Sequence, residues 1–327
     1  MKEILQYLFE HQTLSAVQAK SILSEIATGK FNEYEVTSFV TVFLMRSITL
    51  EELEGFTQAL LQLSTPIHLG ENLVDIVGTG GDGKNTFNIS TLSSLIVAGA
   101  GQGVAKQGNY GASAISGASN VLQQLGYKFK DSQDQLQREL ERSGFCFLHA
   151  PLFHKSLAAV APLRRSLGLR TFFNLLGPLV NPASVDFPMI GVATQEIMRL
   201  YTYLLQKRGS EFLLVHSLDG HDEVTLTSES KLVRRESEAI LSPKQLLFAP
   251  VPAHALTAGK SPQDAAKVFV SILQGEGSEA QKNVVLANAA LALENTGKFG
   301  NYESCLSHAR ESLESGRAYN VLKSITV

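Results

Sequence analysis

The chain is predicted to be an α/β protein with two parts: a small all-helical domain and a larger α/β domain with a mainly parallel central sheet. Three observations predict this. Residues 1 to about 64 carry apolar positions at helical spacing, with no strand-like alternation and no glycine cluster. From Asn72 onward, short apolar runs alternate with helical stretches, the pattern of a sheet with helices on its faces. A glycine-dense turn, Gly78 to Gly83, joins the first of those strands to a helix.

In the first part, Leu14, Val17, Ile22, Leu23 and Ile26 recur at helical spacing. Asn32 to Glu35 and Thr49 to Glu52 read as capping boxes, each opening a helix, and Thr65-Pro66 closes the block. No catalytic constellation lies there, so packing or dimerisation is its expected role. The strands expected beyond it are Leu73 to Val77, Gly103 to Lys106, Phe145 to Leu148, Met189 to Ala193 and Phe212 to His216. Helices are expected at about 88–98, 116–125, 132–143, 153–167 and 195–208. Val224 to Arg235 alternates like a hairpin. Three further helical stretches follow at about 263–274, 279–295 and 302–324, with Gly316 placed to kink or break the last. There is no internal repeat and no low-complexity segment.

A chain of 327 residues with a net charge of −3 has no general basic surface for nucleic acid. The local charge is different. No acidic residue occurs from Gly83 to Lys130, while Lys84, Lys106, Lys128 and Lys130 do, a positive field suited to a small anion. Cys146 and Cys305 are too few for a disulfide framework, so a reduced cytoplasmic setting is expected. The N-terminal stretch MKEILQYLFEH lacks a signal-peptide pattern, and no apolar run is long enough to span a membrane.

The glycine turn is the first candidate site. A helix opening just after such a turn points unpaired N–H groups, and the positive end of its dipole, at an anion. Gly78 to Gly83 satisfies the dinucleotide fingerprint, but no acidic residue follows about 20 positions on. Gly78 to Lys84 has P-loop spacing, but Asn85 stands where a magnesium-binding hydroxyl belongs. Neither pattern accounts for Asp82, which repels phosphate unless it holds a ribose hydroxyl or a metal intervenes. A plain structural turn competes with a phosphate site; the polar run Asn88-Ile89-Ser90-Thr91 favours the site.

Three other stretches have chemistry to offer. Lys106-Gln107-Gly108-Asn109-Tyr110-Gly111 closes a strand, and Ser113, Ser116 and Ser119 follow near another helix start. Arg164, Arg165 and Arg170 precede the apolar run 171–182 with no carboxylate between them, which suits an aromatic carboxylate. His216 to Glu223 ends a buried strand and presents Asp219, Asp222 and Glu223. Adjacent Asp222 and Glu223 repel unless a cation lies between them; hard oxygen ligands near phosphate favour magnesium. His216 and His221 are read as structural or rim residues, and no spaced His or Cys set supports zinc. For each stretch the plain alternative is a solvated turn or face.

Together these residues resemble the anthranilate phosphoribosyltransferase family over nearly the whole chain. The resemblance rests on Gly78-Thr79-Gly80-Gly81-Asp82 with Asn88 to Thr91, Lys106 to Asn109, Ala161 to Arg165 through Asn181-Pro182, and Asp222-Glu223, four motifs in order. It implies a helical domain of residues 1–66 completed by about 154–182, and an α/β domain of 67–153 and 183–327, with the active site at the hinge. It implies a homodimer through the helical domain. The implied reaction transfers phosphoribosyl from phosphoribosyl pyrophosphate to the amine of anthranilate, releasing pyrophosphate, with two magnesium ions per subunit.

The same resemblance assigns residues. Gly78, Thr79, Gly80, Gly81 and Asp82 meet the phosphoribosyl pyrophosphate, joined by Thr86, Asn88, Ser90 and Thr91, and by Lys106, Ser113 and Ser116. Anthranilate meets Gly78, Gln107, Asn109 and Arg164. Ser90, Asp222 and Glu223 hold metal. No acid or base is assigned. Three residues depart from the family pattern: Gln107 where His is usual, Tyr110 where Arg is frequent, and Ala114 where Ser is frequent. The alternatives are a different aromatic acceptor, a pyrimidine nucleoside phosphorylase-like enzyme, which would not need Asp222-Glu223 and magnesium, and a non-catalytic homologue.

Overall fold

The helical stretches of the first 64 residues resolve into α1 (Lys2–Phe9), α2 (Ala16–Ala27), α3 (Glu33–Met45) and α4 (Leu50–Leu63) in the computed structural model, which describes residues 1–111 and 115–326. Both expected capping boxes form, at Asn32 with Glu35 and at Thr49 with Glu52, and Ser15 with Gln18 makes a third. Then follow β1 (Val74–Gly78), α5 (Ile89–Gly99), β2 (Val104–Gly108), α6 (Ala118–Gln124), α7 (Gln133–Ser143), β3 (Phe145–His149), α8 (Ala150–Phe153) and α9 (Ala161–Leu167). The rest is β4 (Phe187–Gly191), α10 (Gln195–Lys207), β5 (Leu213–Ser217), β6 (Ser230–Arg234), β7 (Glu238–Leu241), α11 (Pro262–Leu273), α12 (Glu279–Asn295), α13 (Tyr302–Glu314) and α14 (Arg317–Ile325).

The chain divides into two units, Met1–Ile67 with Ala150–Ser184, and His68–His149 with Val185–Val327. In the first, α2 and α4 approach so closely that a Cβ on Gly55 would lie 2.2 Å from the Ala16 carbonyl oxygen. Phe39, Phe43, Phe56 and Phe172 form one aromatic cluster, with Phe56 and Phe172 stacked at 4.6 Å. That cluster ties the 150–184 segment to the N-terminal helices.

In the second unit the strand order is β3-β2-β1-β4-β5-β6-β7. β1 to β5 run parallel, and β6 and β7 run antiparallel beside them. Helix α5 is apolar nearly all round, with Ile89, Leu92, Leu95, Ile96 and Val97 all buried, so it lies inside the unit. The carboxyl ends of β1, β2, β4 and β5 share one edge of the sheet, where ligands of open α/β sheets bind. Among the described residues no helix is long and apolar enough to cross a membrane.

Two expectations are corrected. The single helix expected at 153–167 is α8, a 3₁₀ segment Lys155–Val160 and α9, because Pro162 lacks an N–H and begins a new helix. The hairpin expected at Val224 to Arg235 lies further on, between β6 and β7. Residues 224–229 are occupied by side-chain hydrogen bonds that take them out of the ladder. The last helical stretch does break at Gly316, which has φ 76°.

Candidate active site

The site is built where β1 gives way to the glycine turn. Gly80, Gly81 and Gly83 have φ of 63°, 68° and 74°, conformations open to glycine at little cost. Gly78 and Gly191 make room for Asp222. A Cβ on Gly78 would lie 2.4 Å from Asp222 Oδ2, and one on Gly191 would lie 1.5 Å from the Asp222 carbonyl oxygen. The Gly80 N–H donates to Asp222 Oδ2 at 2.7 Å, and the Thr79 N–H donates to the Gly191 carbonyl at 2.9 Å. The glycine turn and the turn after β5 are therefore one structure.

Glu223 joins it to the helix. The Ser90 N–H, in the first turn of α5, donates to Glu223 Oε1 at 3.0 Å. Burial, and then the Asp82 carboxylate beside it, push Asp222 up to about 7. Burial, and then Asp222, push Glu223 well above the usual carboxylate range. Lys106 is buried and donates to the Ile76 carbonyl; burial lowers its affinity for the proton, against the pull of Asp75 and Glu223. Like charges gathered in a buried place favour either protons or a cation. Among the described residues no group of three or more His, Cys, Asp or Glu is arranged to hold a metal. Two carboxylates, each oriented by a backbone N–H, nevertheless fit magnesium, which usually takes one or two carboxylates and completes its shell with water and substrate phosphate.

Polar atoms around these carboxylates have unused capacity. Thr79 Oγ1, Asn88 Oδ1, Thr91 Oγ1 and Ser116 Oγ are buried without a hydrogen-bond partner among the described residues. Buried polar atoms are rarely left so unless a ligand or water completes them. Asn88 Nδ2 donates to the Ser116 carbonyl at 2.9 Å, joining the start of α5 to the loop after β2. Thr86 forms a backbone bridge with Thr257, and Lys84 N–H donates to Asp82 Oδ1 at 3.0 Å.

The loop after β2 is built differently. The Gln107 N–H donates to Asp75 Oδ1 at 3.2 Å, and the Gln107 side chain is buried. Asn109 Oδ1 accepts from the Tyr110 N–H at 2.7 Å, and the Asn109 carbonyl accepts from the Ser119 N–H at 3.1 Å. Tyr110 packs edge-on to His149 at 5.0 Å, and His149 stacks on Phe129 at 4.0 Å. His149 Nδ1 meets the Ser119 hydroxyl at 2.8 Å, and burial pushes this imidazole down to about 4. The Gly117 N–H, at the opening of α6, is taken by Asn120 Oδ1.

Arg164 belongs to the helical unit. Its guanidinium lies 5.5 Å from the Phe173 ring centroid, has no acidic partner among the described residues, and is lowered by burial. Ser113 and Ala114 lie outside the described residues. His216 Nδ1 donates to the Val192 carbonyl and His221 Nδ1 meets Asp219, both at bonding distance. Gly191 and Asp75 join the site without belonging to any of its motifs. The signals for them in the sequence are that Gly191 ends a strand at the edge where ligands bind and that Asp75 is a lone charge inside an apolar strand.

The profile of the glycosyl transferase family helical bundle domain matches residues 2–64, and that of the glycosyl transferase family a/b domain matches residues 70–319. An anthranilate phosphoribosyltransferase of Bacteroides fragilis is 51% identical over 324 residues, 99% of this chain and 98% of that relative. The crystal structure of anthranilate phosphoribosyltransferase from Thermus thermophilus has a TM-score of 0.91 at 31% identity, covering 98% of each chain. The Saccharomyces cerevisiae enzyme in complex with PRPP and Mg has a TM-score of 0.87 at 26% identity, covering 96% of this chain and 93% of that one. On this sequence and fold evidence, the chain belongs to the anthranilate phosphoribosyltransferase family.

Proposed function

We propose that the carboxyl edge of this sheet carries out the family's reaction, transfer of phosphoribosyl from phosphoribosyl pyrophosphate to the amine of anthranilate. One observation carries the reading: Gly80 and Ser90 present their N–H groups to Asp222 and Glu223, uniting anion-binding backbone and cation-binding carboxylates. Magnesium, bound by the yeast relative, is assigned here to Asp222, Glu223 and Ser90, with two ions per subunit. It would supply charge neutralisation at the departing pyrophosphate.

The remaining tasks fall to the chain. The glycine turn Gly78 to Gly81 lets the backbone approach the pyrophosphate, and Asp82 serves the ribosyl end. The side-chain oxygens that lack a partner among the described residues, Thr79 Oγ1, Asn88 Oδ1, Thr91 Oγ1 and Ser116 Oγ, complete their hydrogen bonds on the donor substrate, and Thr86 and Ser113 are assigned to the same substrate. Lys106, whose charge Asp75 and Glu223 favour against its burial, is assigned to phosphate. As pyrophosphate leaves, the ribose carbon gains oxocarbenium character, and the work is positioning and charge stabilisation. Gly78, Gln107 and Asn109 are assigned to the acceptor, and Arg164, which has no acidic partner, to its carboxylate. No base is required, because an aromatic amine attacks before it loses its proton.

A homodimer through the helical unit is supported by Phe9, Val17, Tyr34 and Met45, large apolar side chains of that unit that stand exposed. Two buried, unpaired cysteines support a cytoplasmic setting. The deciding assay follows anthranilate fluorescence on addition of phosphoribosyl pyrophosphate, with and without magnesium. Magnesium-dependent loss of the signal is expected; no consumption of anthranilate under either condition rejects the reading.

A further inference from the structure

The turn that bears Asp222 and Glu223 is tied down by side chains to which the reaction assigns no task. Ser217, the last residue of β5 and fully buried, donates its hydroxyl proton to the Glu223 carbonyl oxygen at 2.6 Å. The Val224 N–H, which belongs to the same peptide unit, donates to Asn288 Oδ1 at 3.2 Å. Asn288, buried on α12, also donates through Nδ2 to the Val224 carbonyl at 2.7 Å and to the Val284 carbonyl at 2.8 Å. One peptide plane is thus held at both of its polar ends, by residues from two different elements.

The Ser217 oxygen is itself fixed. It accepts from the Thr225 N–H at 3.3 Å and from the Thr225 hydroxyl at 3.1 Å, and lies 3.1 Å from the Ser230 hydroxyl. Thr227 donates to Asp219 Oδ2, whose carboxylate also meets His221 across the turn. A hydroxyl held on several sides has one direction left for its proton, towards Glu223.

We infer that Ser217 and Asn288 are positioning residues for the Glu223 carboxylate. They fix the peptide plane that follows its Cα, so the side chain leaves the backbone in one direction and meets the Ser90 N–H. Groups that orient a ligand of a metal in this way set the affinity of the site. The inference rests on the assignment of Asp222 and Glu223 as cation ligands made above.

The test is Mn²⁺ titrated alone into the full chain and followed by electron paramagnetic resonance, with no turnover involved. Ser217→Ala is expected to weaken Mn²⁺ about tenfold. In steady state it is expected to raise the KM for phosphoribosyl pyrophosphate and leave that for anthranilate unchanged. Thr57→Val removes an equally buried hydroxyl, one that donates to the Leu53 carbonyl within α4 and shares no partner with Ser217, and should bind Mn²⁺ within about twofold of the parent. Ser217→Cys, a slightly larger side chain with a weaker donor, should fall between Ser217→Ala and the parent. Parent-like Mn²⁺ affinity in both Ser217 variants overturns the inference, as does an equal loss in Thr57→Val. Glu223→Gln separates the two levels: if it binds Mn²⁺ as the parent does, the ligand assignment itself is wrong; if it loses Mn²⁺ while both Ser217 variants keep it, only the positioning inference fails.

Discussion

The turn after β5 and the loop after β2 stand on the same sheet edge, and they are held in different ways. The Asp222-Glu223 turn is fixed by directed hydrogen bonds, from the Gly80 and Ser90 N–H groups to its carboxylates and between its backbone and the Ser217 and Asn288 side chains, with glycines at 78 and 191 leaving no space for a side chain. The loop after β2 is held largely by ring packing, with Tyr110 edge-on to Phe129 and His149 and His149 stacked on Phe129. Directed hydrogen bonds tolerate little displacement, whereas packed rings can shift. Gln107 and Tyr110, which depart from the pattern that the resemblance implies, both lie at the second. On the proposed assignment the first place serves the donor and the second the acceptor, so the acceptor half is where this chain can differ from its relatives.

The largest expected effect breaks the first half. Glu223→Gln keeps the shape and an oxygen to accept from Ser90, but removes the charge. A fall of about 10²–10³ in kcat/KM for phosphoribosyl pyrophosphate is expected from losing one stabiliser of transition-state charge, measured in steady state across a magnesium series. A change below about threefold would place the cation elsewhere.

Two glycines sharpen the contrast. Gly78→Ala drives a methyl group against Asp222 Oδ2, and displacing that carboxylate by about 1 Å should cost about 10²-fold in kcat/KM. In Gly108→Ala the methyl group meets the Phe147 ring at 2.6 Å and Ala118 Cβ at 3.0 Å, and a ring can shift. An effect of about tenfold, smaller than at Gly78, is expected there. Equal losses at both positions would remove the distinction between hydrogen-bonded and ring-held halves.

Next comes a pH effect confined to the ring-held half. The folded value of His149, about 4, lies below its unfolded value near 6.5, so the unfolded chain takes up the proton first as pH falls. Its contribution is intact above pH 6.5 and is lost between 6.5 and 4, by about 2 kcal/mol once the half-exposed Tyr110 beside it is allowed for. Denaturant unfolding of the parent and of His149→Gln over that range should converge as pH falls. Parallel curves would mean that His149 is protonated as readily in the folded chain.

What the sequence made legible follows physical range. Strand periodicity, capping boxes and the glycine turn are local, and Thr49 with Glu52 or Gly316 behaves in the structure as its neighbours demand. The hairpin lies further along than its alternation predicts, because Thr225 and Thr227 alternate like strand residues yet spend their hydrogen bonds on Ser217 and Asp219. Apolar spacing predicts one helix at 153–167 because it continues through Pro162, which starts a new helix. Motif order pointed to Asp222, Glu223 and Ser90 as a group. That Gly191 must be small, or that Asn288 closes the Val224 peptide, depends on residues brought from far along the chain. No spacing rule encodes such contacts.

The smallest expected effect falls on Gln107, which the proposed function assigns to the acceptor. Gln107 is buried, and its backbone N–H is committed to Asp75, so a replacement alters the side chain without moving the strand. Histidine and glutamine are similar in length, and both hydrogen-bond a carboxylate; only histidine can also carry charge. Gln107→His should therefore keep kcat/KM for anthranilate within about threefold, or raise it, because the change restores the residue usual in the family at a site whose backbone is unaltered. A loss of tenfold or more would show that the pocket around Gln107 is tuned to another aromatic acceptor. Repeating the measurement with ring-substituted anthranilates would then locate the difference: a loss that varies with the ring points to Gln107 and Tyr110, and one that varies with the carboxylate points to Arg164.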